Sequence, residues 1–318
     1  MLDIELIKRF VSDEKLPIQV IKDEKYFNYI LDLLEDSFGS RTKWNGWLKV
    51  IESQYEGDSK KYLADFYKIR ESVISDMKAN RAYQEFNTCN MNKYQVTDMP
   101  QVGSYEIYRP GNQGKYYLSL DLKKANFQAL QFVGVIEKGL TYENWLKRWT
   151  DLPHLLNSKY LRVVVFGQLN PGRHITVEKF ITSEIYKHID RSNILKDVAQ
   201  LVSFRNDELI WEVSKNNILE LTNALYDVIA EFGFKVSLDF FKLHCFEFTQ
   251  NVTGNKINFY KKEYFNGNPS SYHCIPGTYQ AIITKLLEGR ELCDYDTWFM
   301  HDGMLSKFIG TFKIEEVI

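Results

Sequence analysis

Apolar residues recur at helical spacing through roughly the first 90 positions. In DEKYFNYILDLLEDSFG, Phe27, Ile30, Leu31, Leu34 and Phe38 share one face, and Gly39 supplies a stop. In SKKYLADFYKIRESVISDM, Tyr62, Phe66, Ile69, Val73 and Met77 repeat the pattern behind Ser59, read as the N-cap. The charged positions between them form a solvated face.

From residue 103 the pattern changes to strands and turns. RPGNQGK (109–115) is a turn cluster, and YYLSLDL follows as an alternating strand. Residues 138–160 read as helical, with Tyr142, Trp145 and Trp149 on one side. YLRVVVF (160–166) is open between strand and buried helix, because three valines favour the former. GQLNPGR breaks the chain, and a helix resumes with Val177, Phe180, Ile181 and Ile185 inward. QLVSF (200–204), the tight RNDE and LIWEV (209–213) read as a hairpin. A helix over 217–232 ends at Gly233, and strands are expected in FKVSLDFF, HCFEF and KINFYKKEYF. The loop 266–277 leads to a last helix and the C-terminal end. The pattern predicts one α+β body with a helical N-terminal lobe.

Composition narrows this little. The chain has 318 residues, 44% hydrophobic and 26% charged, in the range of a globular protein. No apolar run reaches the ~20 residues that span a bilayer. MLDIELIKRF is not a signal peptide, so no membrane partner and a cytoplasmic location are expected. Cys89, Cys245, Cys274 and Cys293 lack a CxxC spacing and read as reduced thiols, and the two His-Cys dipeptides lack a zinc-ligand pattern. The net charge of −2 gives no bulk support to nucleic-acid binding, which would need a local positive channel.

Two segments carry candidate chemistry. Alternation places Leu118, Leu120 and Leu122 on one face of the 116–122 strand, and Tyr117, Ser119 and Asp121 on the other. The hairpin presents Asp207 and Glu208 at its turn. Carboxylates from neighbouring strands suit hard cations such as Mg²⁺, which also bind substrate phosphates. Two ions ~3.5–4 Å apart activate a hydroxyl and stabilise a leaving pyrophosphate.

LDLKKANF resembles motif A of right-hand palm polymerases, particularly the reverse transcriptase form Asp-x-x-x-Ala-aromatic-Phe. RNDELIWEV resembles motif C of family A DNA polymerases and the two-acid turn of reverse transcriptases. Asp207 follows Asp121 by 86 residues, and FGQLNPGR lies between them where a motif B would be. NNILELTNALYDVIAEFGFKVSLDFFKL resembles the second palm helix and the motif D strand.

The resemblance implies a ferredoxin-like palm with an antiparallel sheet, a helical fingers insertion and a thumb-like helical lobe. It divides the chain into 1–100 (thumb-like), 101–137 (palm, motif A), 138–190 (fingers-like) and 191–318 (palm, motif C and C-terminal extension). It implies a template-directed nucleotidyltransferase with two Mg²⁺ (or Mn²⁺) ions on Asp121 and Asp207, and Glu208 as the further catalytic acid. Asn126, Phe127, Arg162, Gln168, Arg173 and Lys235 become the nucleotide-binding set, with Lys242 an alternative to Lys235. Lys147, Arg148 and Lys159 are further basic candidates near the fingers. The implied partners are a nucleic-acid template-primer, nucleoside triphosphates and an accessory protein subunit.

Asn126 stands where DNA-making relatives carry a bulky aromatic or Glu against a ribose 2′-hydroxyl, which implies relaxed sugar selection. Were Asn206 rather than Asp207 in the catalytic position, the enzyme would be inactive. The alternative is a non-catalytic nucleic-acid-binding or scaffold subunit on a degenerate palm. DYDTWFMHDG (294–303) is acidic and aromatic and reads as a surface turn, with a further metal ligand as the alternative.

Overall fold

Helices α1 (Ile4–Asp13), α2 (Glu24–Leu33), α3 (Glu35–Phe38), α4 (Ser40–Tyr55), α5 (Ser59–Ala79) and α6 (Arg81–Thr88) occupy the N-terminal part of the computed structural model. The structure describes residues 3–103, 107–214, 218–301 and 304–317. Short acidic side chains start several of these helices by accepting from otherwise unpaired backbone N–H groups. Asp3 accepts from Glu5, and Asp23 from Tyr26. Asp58, not Ser59, caps α5, accepting from Lys60 and Lys61. Gly39 takes the left-handed conformation (φ 60°) between α3 and α4.

The chain then runs through β1 (Tyr116–Leu122), α7 (Ala125–Phe132), α8 (Tyr142–Leu146), α9 (Pro153–Leu156), α10 (Lys159–Gly167) and α11 (Pro171–Arg191). The helical reading of 138–160 reduces to the short α8 and α9, because Thr150 and Pro153 punctuate it. The ambiguous 160–166 segment is helical. Ser158 accepts from Leu161 N–H, and Leu161, Val165 and Phe166 are buried at helical spacing, so packing overrides the preference of three valines for a strand.

Next follow β2 (Ala199–Phe204), β3 (Glu208–Val213), α12 (Ile218–Phe232), β4 (Val236–Gln250), β5 (Asn255–Tyr264), β6 (Ser271–His273), α13 (Gln280–Leu287), β7 (Trp298–His301), β8 (Met304–Lys307) and β9 (Phe312–Glu316). Asn217, the first residue of the expected 217–232 helix, lies outside the described residues, as do Asp302 and Gly303. FKVSLDFF and HCFEF belong to one continuous strand, β4; the helix expected after the 266–277 loop is α13, and the C-terminal end then adds β7–β9.

The main sheet has the order β2-β3-β1-β4-β5-β6, with β9 also pairing β4, and its described pairings are antiparallel. One face carries Leu118, Leu120, Leu122, Leu209, Trp211, Leu238 and Phe240 into a core shared with α5–α8, α10, α11 and α12. A second core lies within α1, α2, α4 and the start of α5. The C-terminal segment closes on that lobe. Trp298, Met300 and Leu305 pack against it, and the Tyr29 hydroxyl donates to the buried Asp296.

Candidate active site

The leucines of β1 enter the helical core, so Ser119 and Asp121 occupy the opposite sheet face. The neighbouring strands add polar groups there. Asp121 lies opposite Glu208 on β3 and Ser237 on β4, while Ser119 lies opposite Asp239. Ser119 Oγ donates to Glu208 Oε1 at 3.0 Å, and Asn266 Nδ2 donates to Asp239 Oδ1 at 3.1 Å.

Backbone hydrogen bonds hold the hairpin turn against the end of β1. Arg205 N donates to Glu208 O at 2.8 Å and closes the turn. Leu122 N donates to Asp207 O at 2.8 Å, which ties Asp207 to the residue after Asp121. Thr182 Oγ1 on α11 donates to the Asn206 carbonyl at 2.9 Å, so α11 anchors the turn from behind. Asp207 is therefore the turn residue whose charge reaches Asp121. Burial first, then the negative charge of Asp207, Glu208 and Asp239, pushes the Asp121 carboxyl up to about 6, with Lys15 opposing the shift.

Asn126 Nδ2 donates to Glu178 Oε1 on α11. Glu178 is buried, and burial pushes its carboxyl up to about 7, against the hydrogen bond from Asn126 and with Asp207 adding to the rise. Asn126 and Glu178 thus border the same acidic centre.

The remaining sequence-derived residues divide. Arg162 has its guanidinium 5.6 Å from the centre of the buried Tyr142 ring, and the Lys124 ammonium lies 5.6 Å from the same ring. Phe127 does not join the site. Its ring is 3% exposed and packs edge-on against Tyr142 and Trp145, so it supports the site from within the core. Arg173 is engaged elsewhere, donating to the Cys89 carbonyl and lying over Phe86. Gln168 is exposed at the end of α10. Lys235 is exposed beside the end of β1, where its backbone N–H and C=O pair with the Gln128 side chain. Lys242 pairs with Tyr116 at the far end of β1, five residues along β4 from Ser237, about 17 Å away at strand rise.

The sequence reading missed Asp239, Glu178 and Lys262. Asp239 had a signal, since VSLDF repeats the alternation of LSLDL in β1. Lys262 on β5 is 6% exposed, with its ammonium 4.3 Å from the Phe241 ring centre. Burial lowers its pKa, and the charges of Glu208, Asp239 and Asp121 oppose that shift. A cavity of about 330 Å³, lined by Tyr108, Ser203, Arg205, Glu208, Lys262 and His273 among others, adjoins the acids on this face.

Among the described residues, no three His, Cys, Asp or Glu side chains gather into a group that would enclose a metal ion. Asp121 and Asp207, with Glu208 and Asp239 alongside, are the carboxylates that could hold a cation at the end of β1. Two carboxylates would leave such an ion to complete its shell with water and phosphate oxygens, as Mg²⁺ does. No family model, curated protein or solved structure matches the chain.

Proposed function

We propose that the chain is a template-directed nucleotidyltransferase built on a palm, with Asp121 and Asp207 as its metal-binding carboxylates. The observation that carries this reading is the convergence of Asp121, Asp207 and Glu208 at the junction of β1 and β3, on the face away from the helical core. The sheet supports it as well. Strand, helices, hairpin, helix and strand follow one another from β1 to β4, with spatial order β2-β3-β1-β4, which is the ferredoxin-like arrangement on which palms are built. On this reading the helices of residues 138–190, α8–α11, would form the fingers-like region and α1–α6 the thumb-like lobe.

Two Mg²⁺ (or Mn²⁺) ions bound here would activate a 3′-hydroxyl and neutralise the leaving pyrophosphate. The chain's own residues do the positioning. Asp121 and Asp207 would supply the charge that such ions need, and the Asp207 charge adds to burial in raising the Asp121 carboxyl. Ser119 orients Glu208. Asn126, held by Glu178, borders the place of the incoming sugar and is short enough to admit a 2′-hydroxyl. The partners of this reading are a template-primer, nucleoside triphosphates and an accessory subunit that completes the grip on nucleic acid.

Extension of a labelled primer in Mg²⁺ or Mn²⁺, with and without template, tests the reading. Template-dependent products support it; products of equal length on a lone single strand would make the site an untemplated tailing enzyme. The second reading is a non-catalytic nucleic-acid-binding or scaffold subunit. It is favoured by the net charge of −2 and by the lack of a three-ligand metal group among the described residues. Nucleic-acid binding without extension in either metal would select it.

A further inference from the structure

On the sheet face away from the helical core, β5 alternates Tyr260, Lys262 and Tyr264. Ile107, Ile210, Phe241 and Tyr260 belong to a buried apolar cluster there. An aliphatic side chain at position 262 would extend that cluster, yet the chain places a lysine in it, only 6% exposed. Its ammonium lies 4.3 Å from the Phe241 ring centre and 5.7 Å from that of Tyr108. Among the described residues that ammonium makes no ion pair and donates no hydrogen bond.

Lys262 lines the cavity of about 330 Å³ together with Ile107, Tyr108, Ser203 and Ile210, and the exposed Arg205 and Cys274 mark its way to solvent. That volume is at the lower end of the ~300–1,000 Å³ usual for small-molecule sites. Two neighbouring polar groups are already engaged. Glu208 accepts from Ser119 Oγ at 3.0 Å, and His273 Nε2 shares a 2.9 Å hydrogen bond with Ser271 Oγ while its ring stacks on Tyr108. Burial lowers the Lys262 pKa against the opposing charges of Glu208, Asp239 and Asp121, and burial with the Lys262 charge pushes His273 down to about 4. The neutral amine is therefore more readily reached here than in water, and only that form is a nucleophile.

We infer that Lys262 is a carbonyl-reactive amine and that its cavity takes a small aldehyde with a flat, apolar body. Tyr108 and the two isoleucines would hold the body, with the carbonyl carbon turned toward Nζ. The lone pair of the amine forms the C–N bond, and a proton passes from nitrogen to the carbonyl oxygen, giving a carbinolamine. The hydroxyl then leaves as water with the second nitrogen proton, giving an imine. One amine and one aldehyde thus yield one imine and one water, with no oxidant or reductant. The site needs neither metal nor nucleic acid and does not rest on the polymerase reading.

Labelling of the folded full chain with benzaldehyde and cyanoborohydride at neutral pH tests this, the products being located by peptide mass spectrometry. The hydride reagent serves only to fix the imine as a stable benzylamine. Lys262 should label about tenfold or more faster than the exposed Lys49 and Lys138, and the preference should vanish in urea. Pyrene-carboxaldehyde, too wide for the cavity, should label Lys49 and Lys138 and spare Lys262. Both comparisons use the wild-type protein, so neither depends on a variant that folds. Lys262 labelled no faster than Lys49 and Lys138 by benzaldehyde would overturn the inference and leave a structural cation held by the rings. Equal labelling of all three by the pyrene aldehyde would also overturn it, by placing the amine outside an enclosed site.

Discussion

Asp121 and Glu208 stand directly opposite each other on antiparallel β1 and β3, with Asp207 tied to the adjoining residue by a 2.8 Å backbone hydrogen bond. Like charges held this close are costly in the absence of a cation. The folded-state pKa of Asp121 lies above its ordinary value, at about 6, so the folded protein binds more protons than the unfolded chain between pH 4 and 6. Its contribution to stability is therefore present at low pH and lost as pH rises through 6. After allowance for partial exposure, Asp121→Asn should stabilise the metal-free protein by about 1–2 kcal/mol at pH 8. Urea unfolding at pH 8 and pH 4 checks this, and equal stability of mutant and wild type at pH 8 would refute it.

His174 has the opposite linkage. It is wholly buried beside Phe86, Tyr83 and Phe166, neither ring nitrogen has a hydrogen-bond partner among the described residues, and burial pushes its pKa down to about 4. Between pH 6.5 and 4 the unfolded chain takes up the proton and the folded protein does not, so stability falls on acidification. His174→Leu should flatten that limb by up to about 3 kcal/mol at pH 4 while leaving neutral-pH stability equal or higher. His154 and His273, also pushed down to about 4, leave a residual slope in the mutant. An unchanged acid limb in His174→Leu would show that the ring is protonated in the fold.

Asp13 links Arg9 to α10. Arg9 is 1% exposed among Tyr62, Phe66 and Trp47, and its nearest carboxylate oxygen is on Asp13, 3.7 Å away. Asp13→Ala leaves a buried cation without its partner and removes the side chain that accepts from Tyr160 N–H. The expected cost is about 3–5 kcal/mol in chemical denaturation. A loss below about 1 kcal/mol would mean that the aromatic rings alone satisfy Arg9.

Sugar selection is set at Asn126 in this account. Wild type should incorporate ribonucleotides alongside deoxyribonucleotides, and Asn126→Tyr should suppress ribonucleotide use about tenfold or more through steric exclusion. Single-nucleotide incorporation with each sugar measures the ratio. Strict rejection of ribonucleotides by wild type would contradict the role given to Asn126.

Much of this site is visible in the sequence because β1 alternates and the RNDE turn separates two apolar runs. β2 nevertheless bulges at Leu201–Ser203, and β3 buries Leu209, Ile210 and Trp211 in succession. Period-2 patterning exposes Asp121, and the tight RNDE turn places Asp207 beside it once the strands pair. Asp239 carries the same alternation, yet nothing local says that β4 lies next to β1. Glu178 reads as one more polar position on an amphipathic helix, and only the packing of α11 on α7 buries it beside Asn126. Lys15 and Lys262 reach the site from distant parts of the chain, and no periodicity records such contacts. Arg173 shows the converse: its position flanking the motif B-like turn suggests phosphate contact, but the fold directs it to the Cys89 carbonyl. The valines of α10 and the continuity of β4 were hidden for a similar reason, since tertiary burial outweighs local propensity.

The most direct test of the central claim is metal-dependent primer extension by wild type, Asp121→Asn and Asp207→Asn, with each variant shown to be folded. The account predicts template-directed extension by wild type and a loss of at least about a thousandfold in either variant, because each removes a carboxylate needed to hold the metal ions. Extension by the variants at the wild-type rate would contradict it.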